Sequence, residues 1–482
     1  MPFLKKQSAI YDTVIIGGGI LGCFCALNLA RCSLKTLLLE KREDVCTGIS
    51  KANTAIIYPG YDNCSGSLKT TLTLKANQDF EKLCMKLDVP FFRCGSILVS
   101  EGPKGGQTVT KKYRQGIINQ VPGLQLLSAR KLLALEPGLT PKASLGLYAP
   151  STGTVHPWEL GIAAWEAAKE LGTQTLFHSE VTGICKKDMY FYVEVNGKHT
   201  VKSRSVINCA GILADQVQAL YSRPLIRIRA ELAEYMLFEQ ENNDLLKHII
   251  FSETEEGKGI SLVPTLNGKI LAGPISRPSD AASPLATSDV GHLKLMAECE
   301  KILPNITEAK TVRNFAGFRP NPYDPADPQK SLRGIEPLIT DTKDGLISLI
   351  GVKTPGLTCS HELGKLIRDK ILNFLNIDPV IKDIPPRPRH REYLENPAYQ
   401  KILCRCEGIT LGEVLDAVQR GATTIDGVKR RTGSGMGLCQ GNHCSARIAE
   451  ILSATLSVPM EQITKDGPGS YYLFPDRQRT LL

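Results

Sequence analysis

Hydrophobic residues fall into three patterns along the chain, and each predicts a different kind of element. The first is a continuous apolar run that ends in glycine. Tyr11 to Ile16 reads as a buried strand, passes into Gly17-Gly18-Gly19-Ile20-Leu21-Gly22, and gives way to a helix over Cys23 to Arg31. Thr36 to Leu39 is a second such strand and stops at Glu40. The pattern returns at Ser205 to Gly211, and again where Leu346 to Ile350 leads through Gly351 to Leu357 into a helix that starts near Cys359 and is clear over His361 to Leu375. The second pattern alternates apolar and polar residues between turn signals, over Ser144 to Pro157 and Leu225 to Pro274, with Tyr190 to Val195 and Tyr235 to Phe238 as examples. It predicts a mainly antiparallel sheet. The third is helical and lies near the C-terminus. Thr410-Leu411-Gly412-Glu413 has the form of a capping box, Leu411, Val414, Leu415 and Val418 make one apolar stripe ending at Gly421, and Ser445 to Leu456 turns Ile448, Ile451 and Leu452 inward.

The chain has 482 residues, more than one hydrophobic core usually serves, so two or three units are expected. The large unit is placed at 1–376, a proline-rich basic linker at 377–401, a small domain at 402–458 and an unassigned tail at 459–482. Mean hydropathy is −0.10 and no apolar run is long enough to span a bilayer, which argues against a membrane-crossing segment. No signal peptide is read at the N-terminus. Fifteen cysteines, an odd number and mostly scattered, fit a reducing cytoplasm. The net charge of +9 is modest and dispersed, so nucleic acid is not an expected partner. Lys186-Lys187, Arg387 to Arg391 and Lys429-Arg430-Arg431 are read as solvated faces in preference to docking sites.

Two motifs bring chemistry into this outline. Strand, G-x-G-x-x-G and helix, followed eighteen residues past Gly22 by the acidic Glu40, is the arrangement that binds a dinucleotide. The glycines allow a tight turn and close approach to a pyrophosphate, the helix N-terminus favours its charge, and the acid accepts from ribose hydroxyls. Three such glycine turns in one unit favour FAD over NAD. The second motif is four cysteines, Cys404 and Cys406 as C-x-C and Cys439 and Cys444 as C-x4-C, within CRCEGITLGEVLDAVQRGATTIDGVKRRTGSGMGLCQGNHC. Such thiolates suit an iron–sulfur cluster or structural zinc, and C-x-C is tight for zinc; spacing alone leaves both open and makes disulfides a poor third.

The motifs IIGGGILG, SKANTAIIYPGYDNCSGSLK, TGTVHPWEL, INCAGILAD, GKGISLVPTLNGKILAGP, NFAGFRP, GVKTPGLT and CRCE with GMGLCQGNHC span nearly the whole chain. In them it resembles the FAD-dependent oxidoreductases of the D-amino-acid-oxidase-like superfamily, and among these the A subunits of anaerobic glycerol-3-phosphate dehydrogenases. The last motif is similar to the bacterioferritin-associated-ferredoxin-like domain, whose four cysteines hold a 2Fe-2S cluster. The resemblance implies an α/β fold: a Rossmann-like FAD-binding domain, an inserted mainly antiparallel substrate-binding sheet, and a small helical C-terminal iron–sulfur domain. It implies FAD contacts at Gly17, Gly19, Ile20, Leu21, Gly22, Glu40, Lys41, Ser50, Asn53, Val181, Ala210, Gly211, Gly317, Pro355, Gly356 and Leu357, and metal ligands at Cys404, Cys406, Cys439 and Cys444. Arg319 matches the position that clamps an anionic substrate, a task suited to a planar guanidinium.

One departure bears on substrate. Where relatives commonly have a histidine before Ala-Gly, this chain has Tyr58-Pro59-Gly60, and a phenol is a poor base at its ordinary pKa of about 10. Tyr58 is read as a substrate hydrogen-bonding group or a packing aromatic, with His156, His361 and Lys353 as candidate bases. The resemblance ranks a glycerol 3-phosphate-like polyol phosphate or a 2-hydroxy acid first. An amino or imino acid, which needs no hydroxyl proton removed, comes second, and a non-catalytic FAD and iron–sulfur electron-transfer subunit stands as the alternative of another class. Electrons are expected to pass from substrate to FAD, through the cluster, to a second redox subunit or acceptor, with any membrane contact made through that partner.

Overall fold

The computed structural model describes residues 9–240, 245–254, 257–280, 284–332, 334–335, 338–386 and 396–473. Ile10–Ile16 pairs in parallel with Thr36–Leu39 on one side and with His199–Asn208 on the other, and Leu346–Leu349 continues the sheet beyond His199–Asn208. The register sets Ile16 beside Leu39 and Asn208. Gly17, Glu40 and the Cys209–Gly211 turn therefore emerge together at the carboxyl ends of parallel strands, where open α/β sheets bind ligands.

Both faces of this eight-stranded sheet are covered, which accounts for the unbroken apolar runs. Ile15, Leu38 and Ile207 pack under the helices Ile20–Ala30, Pro157–Glu170 and Gly356–Leu375. Val14, Leu37, Leu39 and Val206 face Phe191, Val193 and Val195 instead. Tyr190–Val195 thus belongs to the nucleotide sheet and not to the antiparallel substrate sheet expected for it. It pairs Phe191 with Ser203, and its alternate side chains close the sheet's second face. Two helices start earlier than periodicity indicated, at Ile20 and Gly356, because the end of each glycine loop already forms the first helical turn. The large unit's last helix closes at Asn376 with a left-handed cap, φ 54°.

A second sheet of nine strands is almost wholly antiparallel. Arg227–Glu239 lies between Thr311–Asp324 and Lys269–Pro278, and one contact, Ile249–Thr254 against Ser96–Glu101, is parallel. Among the described residues no helix is long and apolar enough to cross a membrane.

The linker's first part is fixed rather than free. Lys382 N–H donates to the Arg31 carbonyl at 2.8 Å and Arg31 Nε donates to the Lys382 carbonyl at 2.7 Å. Its basic core, residues 387–395, lies outside the described residues. The small domain opens with the hairpin Ile402–Cys404 and Ile409–Thr410, and packs Leu411–Gln419, Ile425–Thr432 and Ser445–Leu456 around Val414, Val428, Ile448 and Leu452. Thr410 and Glu413 form the capping box in both directions. Residues 459–473, read as a tail, fold onto this core, because Ile463 is buried in it and Thr464 bridges Tyr471.

Lys429-Arg430-Arg431 is not a solvated face. Arg431 gives Asp44 bonds of 2.6 and 2.9 Å and Arg430 gives it one of 3.0 Å, and all three side chains are at most 5% exposed. Burial would raise the Asp44 carboxyl, but the charges of Arg431 and Arg430 outweigh it and hold the group below its usual range. Around this centre Arg420 binds Glu166 at 3.1 Å, and Asp466 joins Arg430 and Lys51, each at 2.9 Å. The helix that precedes the cysteine loop is thereby seated on the segment that follows Glu40.

Candidate functional site

Gly17 takes φ +100°, and a Cβ there would stand 2.5 Å from the Cys209 carbonyl oxygen, so only glycine fits between the strand ends. Gly22 has a different role from the cofactor contact expected of it. It does not line the cavity, and a Cβ would lie 2.0 Å from the Gly17 carbonyl, so its absence lets helix and turn close together. Gly19 supplies no side-chain cap to the helix Ile20–Ala30. Ser50 Oγ accepts from Ile20 N–H at 2.9 Å, while the N–H groups of Leu21 and Gly22 have no intrahelical acceptor. The Glu40 carboxylate accepts from Gly18 N–H at 2.6 Å and Arg42 N–H at 2.8 Å, which leaves lone pairs for further donors.

A cavity of about 610 Å³ runs from this turn to the nine-stranded sheet. Lys41, Asn53, Val181, Ala210, Gly211, Pro355, Gly356 and Leu357, all expected to contact FAD, line it. Gly317 lines it too, at a position where a Cβ would meet Ala52 Cβ at 2.6 Å. Free first-turn N–H groups, a buried carboxylate and a volume in the cofactor range fit an adenine dinucleotide.

The sheet side of the cavity brings Arg319, Tyr58 and Lys353 together. Arg319 stands in Thr311–Asp324, in register with Glu231. Its guanidinium makes no hydrogen bond or ion pair with any described residue, although its charge acts on the phenols of Tyr58 and Tyr235. Burial pushes Tyr58 up to about 12 against the pull of Thr54 and Arg319, and burial does the same to Tyr235. Both phenols are therefore hydrogen-bond donors at neutral pH. Tyr58 stacks on Phe251 with centroids 5.9 Å apart, and Lys353 Nζ donates to Asn321 Oδ1.

Neither candidate histidine reaches the cavity. His156 stands at the N-cap position of the helix Pro157–Glu170 without a side-chain capping bond; its Nδ1 is 3.2 Å from Glu159 and its ring stacks on Trp158. His361 is buried between helices, edge-on to Phe24 and 3.4 Å from Asn28 Nδ2, and burial pushes its imidazole down to about 3. The lining residues that went unread include Thr54, Tyr235, Phe251 and Ser276. Tyr235 and Phe251 sit in alternating strands whose pattern was visible, but alternation does not tell which face meets a ligand.

The four cysteines form a second centre in two pairs. Cys404 and Cys444 are buried, Cys406 is exposed and Cys439 partly so. The Sγ atoms of Cys406 and Cys439 are 3.5 Å apart. Two thiolates about 2.3 Å from one tetrahedral ion would be about 3.7 Å apart. Burial and then the neighbouring Cys404 push Cys444 up to about 12, whereas N–H groups led by that of His443 hold Cys439 below its usual range. Gly435 and Gly441, at φ +80° and +88°, fold the loop back so that its N–H groups reach sulfur. Among the described residues no three His, Cys, Asp or Glu side chains are placed to share a single metal ion. The arrangement offers sulfurs in pairs, as a two-iron cluster requires.

Comparison with known proteins agrees with both centres. Residues 12–370 match the FAD dependent oxidoreductase family and residues 402–454 the BFD-like 2Fe-2S binding domain. The chain is 35% identical over 480 residues to Glycerol 3-phosphate dehydrogenase of Caloramator mitchellensis, covering 96% of this chain and 98% of that one. It is 24% identical over 497 residues to the A subunit of the anaerobic glycerol-3-phosphate dehydrogenase of Escherichia coli (strain K12), covering 93% and 89%. Among solved structures, L-alpha-Glycerophosphate Oxidase from Mycoplasma pneumoniae with FAD bound superposes with a TM-score of 0.69 at 24% identity, covering 79% of this chain and 97% of that one.

Proposed function

This chain belongs to the FAD dependent oxidoreductase family, with a BFD-like 2Fe-2S binding domain at 402–454, and from that premise we propose that it dehydrogenates sn-glycerol 3-phosphate or a similar small anion and hands the electrons to a partner redox protein. Bound FAD supplies a hydride acceptor and the cluster a one-electron carrier. The observation that carries the reading is Arg319, a guanidinium on the cavity wall with no partner among the described residues, which suits an incoming phosphate or carboxylate. In this reading Tyr58 donates a hydrogen bond from its phenol to a substrate oxygen, and Lys353, on the same wall, adds an amino group whose N–H can donate to the bound anion. The dehydrogenase relative in Caloramator mitchellensis supports the phosphate as the anion. The proposed setting is the cytoplasm, with membrane contact only through the partner.

An amino or imino acid is kept as the second reading on one observation: no histidine lines the cavity among the described residues. Hydride loss from a neutral amine needs no hydroxyl proton removed. Anaerobic titration of the purified protein with sn-glycerol 3-phosphate, 2-hydroxy acids, and amino or imino acids, following flavin and cluster absorbance separately, tests both. Flavin bleaching by sn-glycerol 3-phosphate is expected. Bleaching by an amino or imino acid alone would transfer the assignment to the second reading.

A further inference from the structure

The small domain touches both parts of the large unit that enclose the FAD cavity, the nucleotide-binding part and the nine-stranded sheet, and each contact lies close in the chain to a cavity residue or a cysteine ligand. On the nucleotide side, Asp44 stands four residues past Glu40, and Lys51, which binds Asp466, adjoins Ser50. Asp44 holds Arg430 and Arg431 on the helix Ile425–Thr432, which feeds the cysteine loop. On the sheet side, Glu407 directly follows Cys406. It binds Lys269 Nζ at 2.9 Å, with side chains only 6% and 8% exposed, and accepts from Asn267 Nδ2 at 2.8 Å. Gln440 directly follows Cys439 and accepts from Arg313 Nη1 at 3.3 Å. Arg313 is six residues from Arg319 on one strand, so the cysteine loop and the cavity wall share an element about 20 Å apart along it.

Desolvated ion pairs add little net stability compared with apolar packing, and their best-attested use is to fix one arrangement against others. Here two such clasps, Asp44 with Arg430 and Arg431 and Glu407 with Lys269, tie the domain that carries the cysteines to the nucleotide-binding part and to the nine-stranded sheet, which enclose one cavity between them. We propose that Asp44 and Glu407 are positioning residues for internal electron transfer: they hold the cysteine centre in one place across the two halves of the FAD cleft. The step they serve is the loss of one electron by reduced flavin and its gain by the oxidised cluster, with no bond made or broken between them. The inference rests on the dehydrogenase reading only for the source of the electrons.

The test uses the full-length protein with both cofactors, as wild type, Asp44→Asn and Glu407→Gln. Flavin is reduced by light in the presence of EDTA and deazaflavin, so no substrate need be assumed, and cluster reduction is then followed by absorbance and electron paramagnetic resonance. Hydrogen exchange over 425–432 and 402–410 reports docking independently of turnover. Each variant is expected to slow cluster reduction at least about tenfold, and to speed exchange in the small-domain segment it releases by about a hundredfold, while flavin is reduced as in wild type. Because the clasps lie on different parts of the large unit, a flavin-loading defect at Asp44 leaves Glu407→Gln to decide. Cluster reduction at the wild-type rate in a variant whose exchange has risen, or unchanged exchange in both variants, overturns the proposal. If sn-glycerol 3-phosphate fails to bleach the flavin while the photoreduced protein behaves as expected, the substrate assignment falls and the clasps stand.

Discussion

Arg319 and Arg431 carry the same cation into protected positions, and their surroundings treat it in opposite ways. Arg431, with a fully buried side chain, is matched to Asp44 by two short bonds. Arg319, on the cavity wall, acts on two protonated phenols and makes no ion pair with a described carboxylate. Burying a charge is costly unless it is paired. A paired cation marks where the protein has completed its own structure, and an unpaired one on a cavity wall marks where something else completes it.

Substitutions at these sites should separate the two uses. Replacing Arg431 with methionine leaves Asp44 short of its main partner, and about 3–5 kcal/mol of small-domain docking is expected to be lost in chemical denaturation, with substrate-driven flavin bleaching kept within a few-fold. Arg319→Met should do the reverse, lowering kcat/KM for an anionic substrate by about a hundredfold or more at unchanged or slightly higher thermal stability. If both variants lose stability equally and activity equally, the contrast fails.

His361 sharpens the picture with a group that is buried and also uninvolved in the cavity. Its folded-state pKa of about 3 lies below the unfolded value near 6.5, so its stability contribution is complete above that value and is lost as pH falls from about 6.5 towards 3. His361→Leu should flatten the acid side of the stability profile by a few kcal/mol, read from denaturation midpoints across that window, and leave the pH dependence of turnover in place. The smallest effect is expected at Tyr58. With its phenol pushed up to about 12, Tyr58→Phe removes a hydrogen bond and not a base, so turnover should fall less than about tenfold and keep its pH profile. A loss of a hundredfold or more, or a lost ionisation in that profile, would make Tyr58 the base.

The nucleotide half of the cavity was legible because its chemistry is local. Strand, glycine turn, helix N-terminus and Glu40 lie within one stretch of chain, and all but Gly22 of the sixteen anticipated contacts line the cavity. The sheet side of the cavity is assembled from distant strands, where alternation gives the period of a strand and not the identity of its wet face. His156 and His361 sat in matched motifs, yet one pairs with Glu159 and Trp158 at a helix start and the other fills a helix interface. Tyr190–Val195 carried the right alternation and joined the other sheet, since a hairpin looks the same in sequence whichever sheet it extends. Arg430 and Arg431 misled most, because a basic run looks solvated until its carboxylate is known, and Asp44 lies 387 positions from Arg431.

The segment 377–401 has a consequence for how the assembly responds to concentration. It is anchored at Arg31 and Lys382 on one side and enters the small domain at Ile402 on the other. A short tether of this kind keeps the two surfaces at an effective concentration on the order of millimolar, whatever the amount of protein in solution. Dilution, which takes ordinary complexes apart, leaves this contact in place, and only a cut in the tether would make its affinity measurable as a dissociation constant.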